Sequence, residues 1–160
     1  MELSAQLGSL LHAQRLILTT AESCTGGGVS AAVTDIEGSS AWFDRAFITY
    51  SNEAKMDMLG VSAATLEQFG AVSEQTVVEM VEGAIQNSNA NIGVSISGIA
   101  GPGGGTELKP VGTVCFAWAD SCDWKKVETV CFSGDRAQVR LQAVEHALKV
   151  LYVELSARKK

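Results

Sequence analysis

The stretch LILTTAESCTGGG at residues 16–28, followed by small apolar residues at 29–33, decides the fold of this chain. Residues 16–20 predict a short β-strand, the three consecutive glycines a tight turn, and residues 29–33 an α-helix. In α/β proteins, the loops that follow such strands carry many of the functional groups. We therefore expect this strand–turn–helix unit to belong to an α/β domain and to carry part of its functional site.

Hydrophobic periodicity extends this pattern on both sides of the unit. Apolar residues at helical spacing predict helices around 3–11, 77–85 and 141–155, and Asn52 and Ser73 are predicted helix N-caps. The remaining strands are predicted at 45–50, 92–97, 113–119 and 125–132. The alternation indicates a three-layer α/β/α sandwich, with a mixed central sheet of about four to five strands. No linker divides the chain, so we predict a single domain over residues 1–160.

Composition and charge exclude several classes of protein. The 160-residue chain is 46% hydrophobic and 19% charged, with a mean hydropathy of +0.15, which argues against intrinsic disorder. Its formal net charge of −6 argues against a nucleic-acid binder that follows the phosphate backbone. The apolar runs are too short and too interrupted to cross a bilayer, so we expect no membrane partner.

The N-terminus and the cysteines indicate a cytoplasmic protein. The first residues, MELSAQLGSLLHAQR, lack the basic region that begins a signal peptide. The four cysteines match no metal-binding spacing, and we expect reduced thiols. The two histidines, His12 and His146, lie in helical patterns away from the glycine-rich segments. We therefore expect no metal, and catalysis without a histidine base.

Two glycine-rich segments indicate where a ligand would bind. Nine of the 16 glycines lie in Gly26–Gly28 and Gly98–Gly112, and both segments follow a predicted strand. Glycine clusters bring backbone N–H groups close to a ligand, but they also serve as tight connections alone. Neither segment matches the phosphate-binding loop of ATPases or the dinucleotide fingerprint, so no cofactor is indicated.

Ser23 is a candidate nucleophile. It lies just before the predicted helix start, where unpaired N–H groups and the helix dipole would stabilise an oxyanion formed when its hydroxyl attacks a carbonyl. A serine at such a position is also typical of an ordinary helix N-cap. Cys24 is the rival nucleophile, because thiol pKa values tend to fall at helix N-termini. The alternative is that Cys24 is only a hydrophobic side chain packed beside Ser23.

Tyr50 and Lys55 are candidate partners for the nucleophile. Tyr50 ends a predicted strand, and Lys55 lies one turn into the helix that follows. A buried lysine with a lowered pKa can act as general base for a serine. Most helix lysines are instead solvated, and that alternative stays open.

Three basic side chains are candidates for binding an anion. Arg136 and Arg140 are four residues apart at the start of the last predicted helix, so they share one face and could clamp a phosphate. They could equally be surface residues paired with Asp135 or Glu145. Lys109, in the second glycine segment, is the third candidate.

Several motifs in order resemble one known family. They are AESCTGG at 21–27, TYSN at 49–52 with Lys55, GAVS at 70–73, SGIAGP at 97–102, GGT at 104–106, KPVGT at 109–113 and FSGDR at 132–136. Over essentially its whole length, the sequence closely resembles the CinA C-terminal domain family. The resemblance covers several ungapped motifs, which makes it far more specific than a lone glycine pattern.

The resemblance implies an α/β/α domain that hydrolyses the carboxamide of nicotinamide mononucleotide (NMN). The products would be nicotinic acid mononucleotide and ammonia, in pyridine-nucleotide recycling. It implies Ser23 as the nucleophile, with Lys55 and Tyr50 as its partners. The residues expected to hold the oxyanion or to bind the nucleotide are Thr25, Gly26, Gly101, Gly105, Thr106, Arg136 and Arg140.

Other functions remain open alongside this one. A catalytically inactive module of the same fold would hold a nucleotide as a regulatory signal, and an interaction protein would bind no ligand. A cysteine amidase would use Cys24. A homodimer is expected for an α/β enzyme of this size.

Overall fold

A five-stranded sheet forms the centre of the protein in the computed structural model, which describes residues 2–158. The elements are α1 (Glu2–Ala13), β1 (Leu18–Glu22), α2 (Gly28–Thr34), β2 (Phe43–Ile48), α3 (Asn52–Leu59), α4 (Ala63–Phe69), α5 (Glu74–Gln86), β3 (Ile92–Gly98), β4 (Thr113–Asp120), β5 (Lys125–Cys131) and α6 (Arg136–Arg158), with a 3-10 turn at Ser39–Ala41. This confirms the predicted α/β class and its mixed sheet. The outermost residues of the predicted 1–160 domain, Met1, Lys159 and Lys160, lie outside the described residues.

The strand order places the parallel part of the sheet around β1. The order is β2-β1-β3-β4-β5, with β1 parallel to both β2 and β3, and with β4 antiparallel to β3 and β5. At the end of β1, Glu22 pairs with Ile48 on one side and with Ile96 on the other. The loops that follow these three strands therefore leave the sheet at the same edge.

Helices cover both faces of the sheet. In β4 the side chains alternate between two buried clusters, as the period of two of a strand requires. One cluster, under α1, α2 and α6, takes the large side chains of β4, Phe116 and Trp118. The other, under α3, α4 and α5, takes its small ones, Cys115, Ala117 and Ala119. Because β4 is apolar on both faces, helices have to cover the sheet from both sides, and three layers result.

Of the two predicted helix caps, one is correct and one is wrong. Ser73 caps α5 as predicted, since its hydroxyl accepts the Thr76 N–H at 3.2 Å. The predicted cap Asn52 is wrong: Ser51 caps α3 by accepting the Ala54 N–H at 3.0 Å. Helix α4 was not predicted, because its seven residues bury only Leu66 and so show no apolar stripe.

The helices also bear on membrane insertion. Within residues 2–158, no helix has both the length and the apolar character needed to cross a bilayer. Even α6, the longest at 23 residues, carries charged side chains along its length. Its buried side chains instead pack on the sheet.

Candidate active site

Three loops meet at the edge where the parallel strands end. Ser23 follows β1, Thr49 and Tyr50 follow β2, and the second glycine segment follows β3. The Ser23 N–H donates to the Ile96 carbonyl at 3.0 Å, so this loop begins as an extension of the strand pairing. Helix α2 then crosses one face and α3–α5 the other, which is the arrangement at which open α/β sheets bind ligands.

The Lys55 amine contacts the Ser23 hydroxyl directly. Lys55 Nζ lies 3.0 Å from Ser23 Oγ, and it donates to the carbonyl oxygens of Thr49 at 2.8 Å and Tyr50 at 3.2 Å. Lys55 is only 1% exposed and Ser23 7%. The alternative of a solvated helix lysine is therefore wrong, and two of the predicted catalytic side chains lie together.

Burial changes the chemistry of Lys55. It lowers the pKa of the lysine from 10.5 to about 8, against a weaker opposing effect of the nearby Cys24 sulfur. No carboxylate in residues 2–158 forms an ion pair with Lys55 that would favour the charged form. With this pKa, about a tenth of the side chain is neutral at pH 7 and able to accept a proton.

Cys24 is unsuited to be the nucleophile. Burial raises the pKa of its thiol to about 11, and the side chain packs in the apolar cluster under α1, α2 and α6. The prediction of a lowered thiol pKa at a helix start is wrong, because α2 begins only at Gly28. A thiol of this kind is protonated at neutral pH and is a poor attacking group.

Glu22, which the sequence reasoning missed, caps α2. Its carboxylate accepts the N–H groups of Gly27 at 3.1 Å, Val29 at 3.0 Å and Ser30 at 2.9 Å. Ser23 is therefore not the N-cap, and the helix dipole acts on Glu22 rather than on the serine hydroxyl. The available signal was an acidic residue ending an otherwise uncharged strand just before a helix.

Thr25 and Gly26 differ in whether their N–H groups are free. The Gly26 N–H donates to the Ser23 carbonyl at 3.0 Å, so it is not available to an oxyanion, and that part of the expectation is wrong. The Thr25 N–H donates to no acceptor within the described part of the chain. Its hydroxyl donates to the Glu22 carboxylate at 2.7 Å. Thr25 thus remains the candidate oxyanion donor.

Arg136 joins the Tyr50 side chain to the second glycine segment. Its guanidinium donates to the Gly101 carbonyl at 2.9 Å and to the Tyr50 hydroxyl at 3.4 Å. Tyr50 is 65% exposed, and only its carbonyl contacts Lys55. The Tyr50 hydroxyl therefore contacts Arg136 rather than Lys55. The geometry gives no support to a proton relay through this hydroxyl.

Arg140 lies on the turn that carries Ser23. Its Nε donates to the Cys24 carbonyl at 3.0 Å and its Nη2 to the Thr25 carbonyl at 3.2 Å. The side chain is thus engaged with backbone rather than poised for a ligand phosphate. Its predicted part in a phosphate clamp with Arg136 has no geometric support.

Neither arginine takes the alternative role of a surface ion pair. Within residues 2–158, neither Arg136 nor Arg140 lies in an ion pair with Asp135, Glu145 or any other acid. Asp135 instead caps α6, accepting the Gln138 N–H at 2.9 Å. Two positive charges at this edge of the sheet therefore have no acidic partner there.

The second glycine segment folds back on itself, so that two of its glycines lie against Val111. A Cβ at Gly101, where φ is 86°, would collide with Val111, and one at Gly105 would lie 2.7 Å from the Val111 nitrogen. Thr106 accepts the Lys109 N–H at 3.0 Å and closes a turn. The Lys109 amine donates to the carbonyls of residues 69 and 72, so it anchors the segment, and the geometry gives no support to its candidate anion contact.

Known proteins match this sequence over nearly its whole length. A family model described as the CinA C-terminal domain matches residues 1–155. The nicotinamide-nucleotide amidohydrolase PncC of Escherichia coli (strain K12) is 57% identical over 152 residues, which are 95% of this chain and 92% of that protein. PncC of Enterobacter agglomerans is 55% identical over 148 residues, 92% of this chain and 90% of that protein.

A solved structure of similar sequence has the same fold. The crystal structure of the competence/damage inducible protein CihA from Agrobacterium tumefaciens superposes with a TM-score of 0.93 at 44% identity. The superposition covers 97% of this chain and 94% of that one. Sequence and structure thus match over nearly the whole length, and the chain belongs to the CinA C-terminal domain family.

Proposed function

We propose that this protein is an amidohydrolase that converts NMN to nicotinic acid mononucleotide and ammonia, in pyridine-nucleotide recycling. The observation that carries the proposal is the 3.0 Å contact between the buried Lys55 amine and the Ser23 hydroxyl. Relatives that are 57% and 55% identical bear the name nicotinamide-nucleotide amidohydrolase. A serine next to a base is the arrangement that acyl-transfer chemistry needs.

The three contacts of Lys55 suit a general base. A neutral amine has two N–H groups and one lone pair, whereas the ammonium form has three N–H groups. The carbonyls of Thr49 and Tyr50 accept two N–H groups in either form. The lone pair of the neutral amine then faces the Ser23 hydroxyl, the only remaining contact. Lys55 can therefore take the serine proton when the hydroxyl, which also donates to the Tyr50 carbonyl at 3.4 Å, turns toward the amine.

The reaction follows from this transfer. Ser23 Oγ attacks the carboxamide carbon while its proton passes to Lys55, and the Thr25 N–H donates to the oxygen that becomes negative. Collapse of the intermediate breaks the C–N bond, and the Lys55 proton leaves with the nitrogen as ammonia. Water then attacks the acyl carbon and gives a proton to Lys55. The bond between that carbon and Ser23 Oγ breaks, Lys55 returns the proton to Oγ, and nicotinic acid mononucleotide leaves.

The substrate phosphate would bind near Arg136. This guanidinium is free of acidic partners in residues 2–158 and is held between Gly101 and Tyr50. The N–H groups of residues 103–105 donate to no acceptor in the described chain and lie in the same segment. A bidentate arginine with nearby backbone N–H groups is the usual chemistry of phosphate recognition. Gly105 and Thr106 would contribute by shaping this segment.

The test is release of ammonia from NMN by the purified protein, side by side with Ser23→Ala and with Cys24→Ser as matched control. We expect release by the wild type and by Cys24→Ser, and none by Ser23→Ala. If NMN raises the melting temperature and is recovered unchanged, the protein is a binding module and the proposal is wrong. Loss of activity in Cys24→Ser alone would return the nucleophile to the thiol.

Assembly is a separate part of the proposal. We propose a single domain over residues 1–160 that acts as a cytoplasmic homodimer. Light scattering on the purified protein should then give twice the chain mass of 16.8 kDa. A mass equal to one chain would contradict the dimer.

A further inference from the structure

The turn that carries the nucleophile is held from two sides by opposite charges. We call residues 23–27 the nucleophile turn. On one side the Glu22 carboxylate accepts the Gly27 N–H and the Thr25 hydroxyl. On the other side the Arg140 guanidinium, from α6, donates to the carbonyls of Cys24 and Thr25. Two donors of the turn thus face an anion, and two of its carbonyls face a cation.

The carbonyl contacts determine where two N–H groups point. In a trans peptide unit, the C=O of one residue and the N–H of the next are coplanar and point in opposite directions. By holding the Cys24 carbonyl, Arg140 therefore directs the Thr25 N–H away from α6. The Thr25 carbonyl also accepts the Gly28 N–H at 3.0 Å, so the Gly26 N–H, which donates to the Ser23 carbonyl at 3.0 Å, is oriented by the turn itself as well as by Arg140.

The guanidinium has little freedom to serve a ligand while these contacts last. Its Nη2 would lie 3.3 Å from a Cβ placed at Gly26, so it rests against the backbone of the turn. Arg136 differs, because one of its two contacts is the hydroxyl of the exposed Tyr50. The two arginines share a helix but contact different parts of the site.

We infer that Arg140 is a positioning residue: it orients the Thr25 N–H toward the oxyanion and is not a ligand of the substrate phosphate. The inference rests on the proposed amidohydrolase function. It assigns Arg140 to transition-state stabilisation and leaves phosphate recognition to Arg136. Arg140 acts only through the backbone of the nucleophile turn, so its removal should affect any substrate that bears the carboxamide.

The kinetic test compares Arg140→Ala with Arg136→Ala on NMN and on nicotinamide riboside, which lacks the phosphate. For Arg140→Ala we expect kcat to fall by about 10²-fold on both substrates, the lower end of the cost of losing an oxyanion donor, with KM nearly unchanged. For Arg136→Ala we expect KM to rise for NMN alone. Lys149→Ala, an exposed charge on the same helix, controls for the loss of one positive charge.

A conservative variant distinguishes positioning from charge. In Arg140→Lys the ammonium can reach one of the two carbonyls but cannot hold both in the planar geometry of a guanidinium. Its kcat should therefore lie between those of wild type and Arg140→Ala. An increase of KM for NMN only, with kcat intact in both variants, would make Arg140 a phosphate ligand and overturn the inference.

An amide measurement tests the inference without activity. In ¹H–¹⁵N spectra, Arg140→Ala should shift or broaden the Thr25 and Gly26 amide signals and speed their hydrogen exchange, while Arg136→Ala leaves them in place. Unchanged Thr25 and Gly26 amides in Arg140→Ala would refute the positioning role. If the wild type releases no ammonia, the proposed function fails, but this comparison still decides whether Arg140 orients the turn.

Discussion

The pH dependence of catalysis is the sharpest consequence of the buried Lys55. The base must be neutral to accept the Ser23 proton, and burial lowers the pKa of Lys55 to about 8. We therefore expect kcat/KM for NMN to rise with pH through a single ionisation near that value and then to level off. The direction follows because activity belongs to the deprotonated form.

The size of the rise follows from the same pKa. With a pKa of about 8, the neutral fraction grows from about a tenth at pH 7 to about nine-tenths at pH 9, a tenfold rise in kcat/KM. A solvated lysine at its ordinary pKa would give about a hundredfold rise over the same interval and no plateau. The two cases therefore differ in both slope and shape.

The assay is the initial rate at NMN concentrations well below KM, from about pH 6.5 to about pH 10.5, with the product separated from NMN by chromatography. The NMN phosphate, with a second pKa of about 6, is fully ionised over most of this range and does not contribute. Lys55→Ala is the matched variant, because it removes the base. We expect its rate to be at background at every pH.

Two results would refute the reasoning. A rate that is flat from pH 7 to pH 10 would mean that no group with the pKa of Lys55 takes part in the reaction. A rate that still climbs in proportion to hydroxide at pH 10 would mean that the amine keeps its ordinary pKa. The first result would make the Ser23–Lys55 contact a packing contact rather than a catalytic pair, and the second would contradict the lowered pKa of Lys55.

Three further predictions concern the same edge of the sheet. Between about pH 8 and 10.5 the unfolded chain binds the Lys55 proton and the folded one does not, so the stability of the wild type relative to Lys55→Met, measured by urea unfolding, should rise by up to about 3 kcal/mol; the opposite effect of the raised Cys24 pKa is common to both proteins. Tyr50→Phe should lower kcat by less than about tenfold, because the Tyr50 hydroxyl contacts Arg136 and not Lys55. Loss of a proton relay would cost about 10²–10⁴-fold, so a loss of that size in the single-turnover rate would support the relay. Glu22→Gln should lower the free energy of unfolding in urea by about 3 kcal/mol, because the amide N–H₂ would face backbone N–H donors. The control Glu53→Gln, at an exposed position, should be nearly neutral, and equal losses in the two variants would contradict the capping role of Glu22.

Much of the fold follows from local patterns in the sequence. Short runs of apolar and β-branched residues predicted all five strands, and apolar residues at helical spacing predicted most helices, because both signals act over a few neighbouring positions. The Ser73 cap was predicted from a serine that directly precedes an apolar helical stripe, which is also a local signal. Asn52 was wrong by one residue because Ser51 and Asn52 are both good caps, and only the backbone angles choose between them.

The candidate site shows where local reasoning ends. Ser23 and Lys55 could be named from their types and motifs, but a lysine one turn into a helix is ordinarily solvated. Its burial against Ser23, 32 positions away, results from β2 lying beside β1. Glu22 was missed because a carboxylate at the end of a strand gains its meaning only when the following turn brings N–H groups back to it.

Residue types and their short-range spacing alone established the α/β class, the two glycine segments and the serine, lysine and arginine candidates. Tertiary structure decided which of these side chains meet. It brought Arg140, 115 positions from Thr25, onto the nucleophile turn and set Arg136 against Gly101 and Tyr50. The physical reason is that secondary structure reflects interactions between near neighbours along the chain, whereas partners and pKa values depend on the order of strands and on which loops share an edge of the sheet.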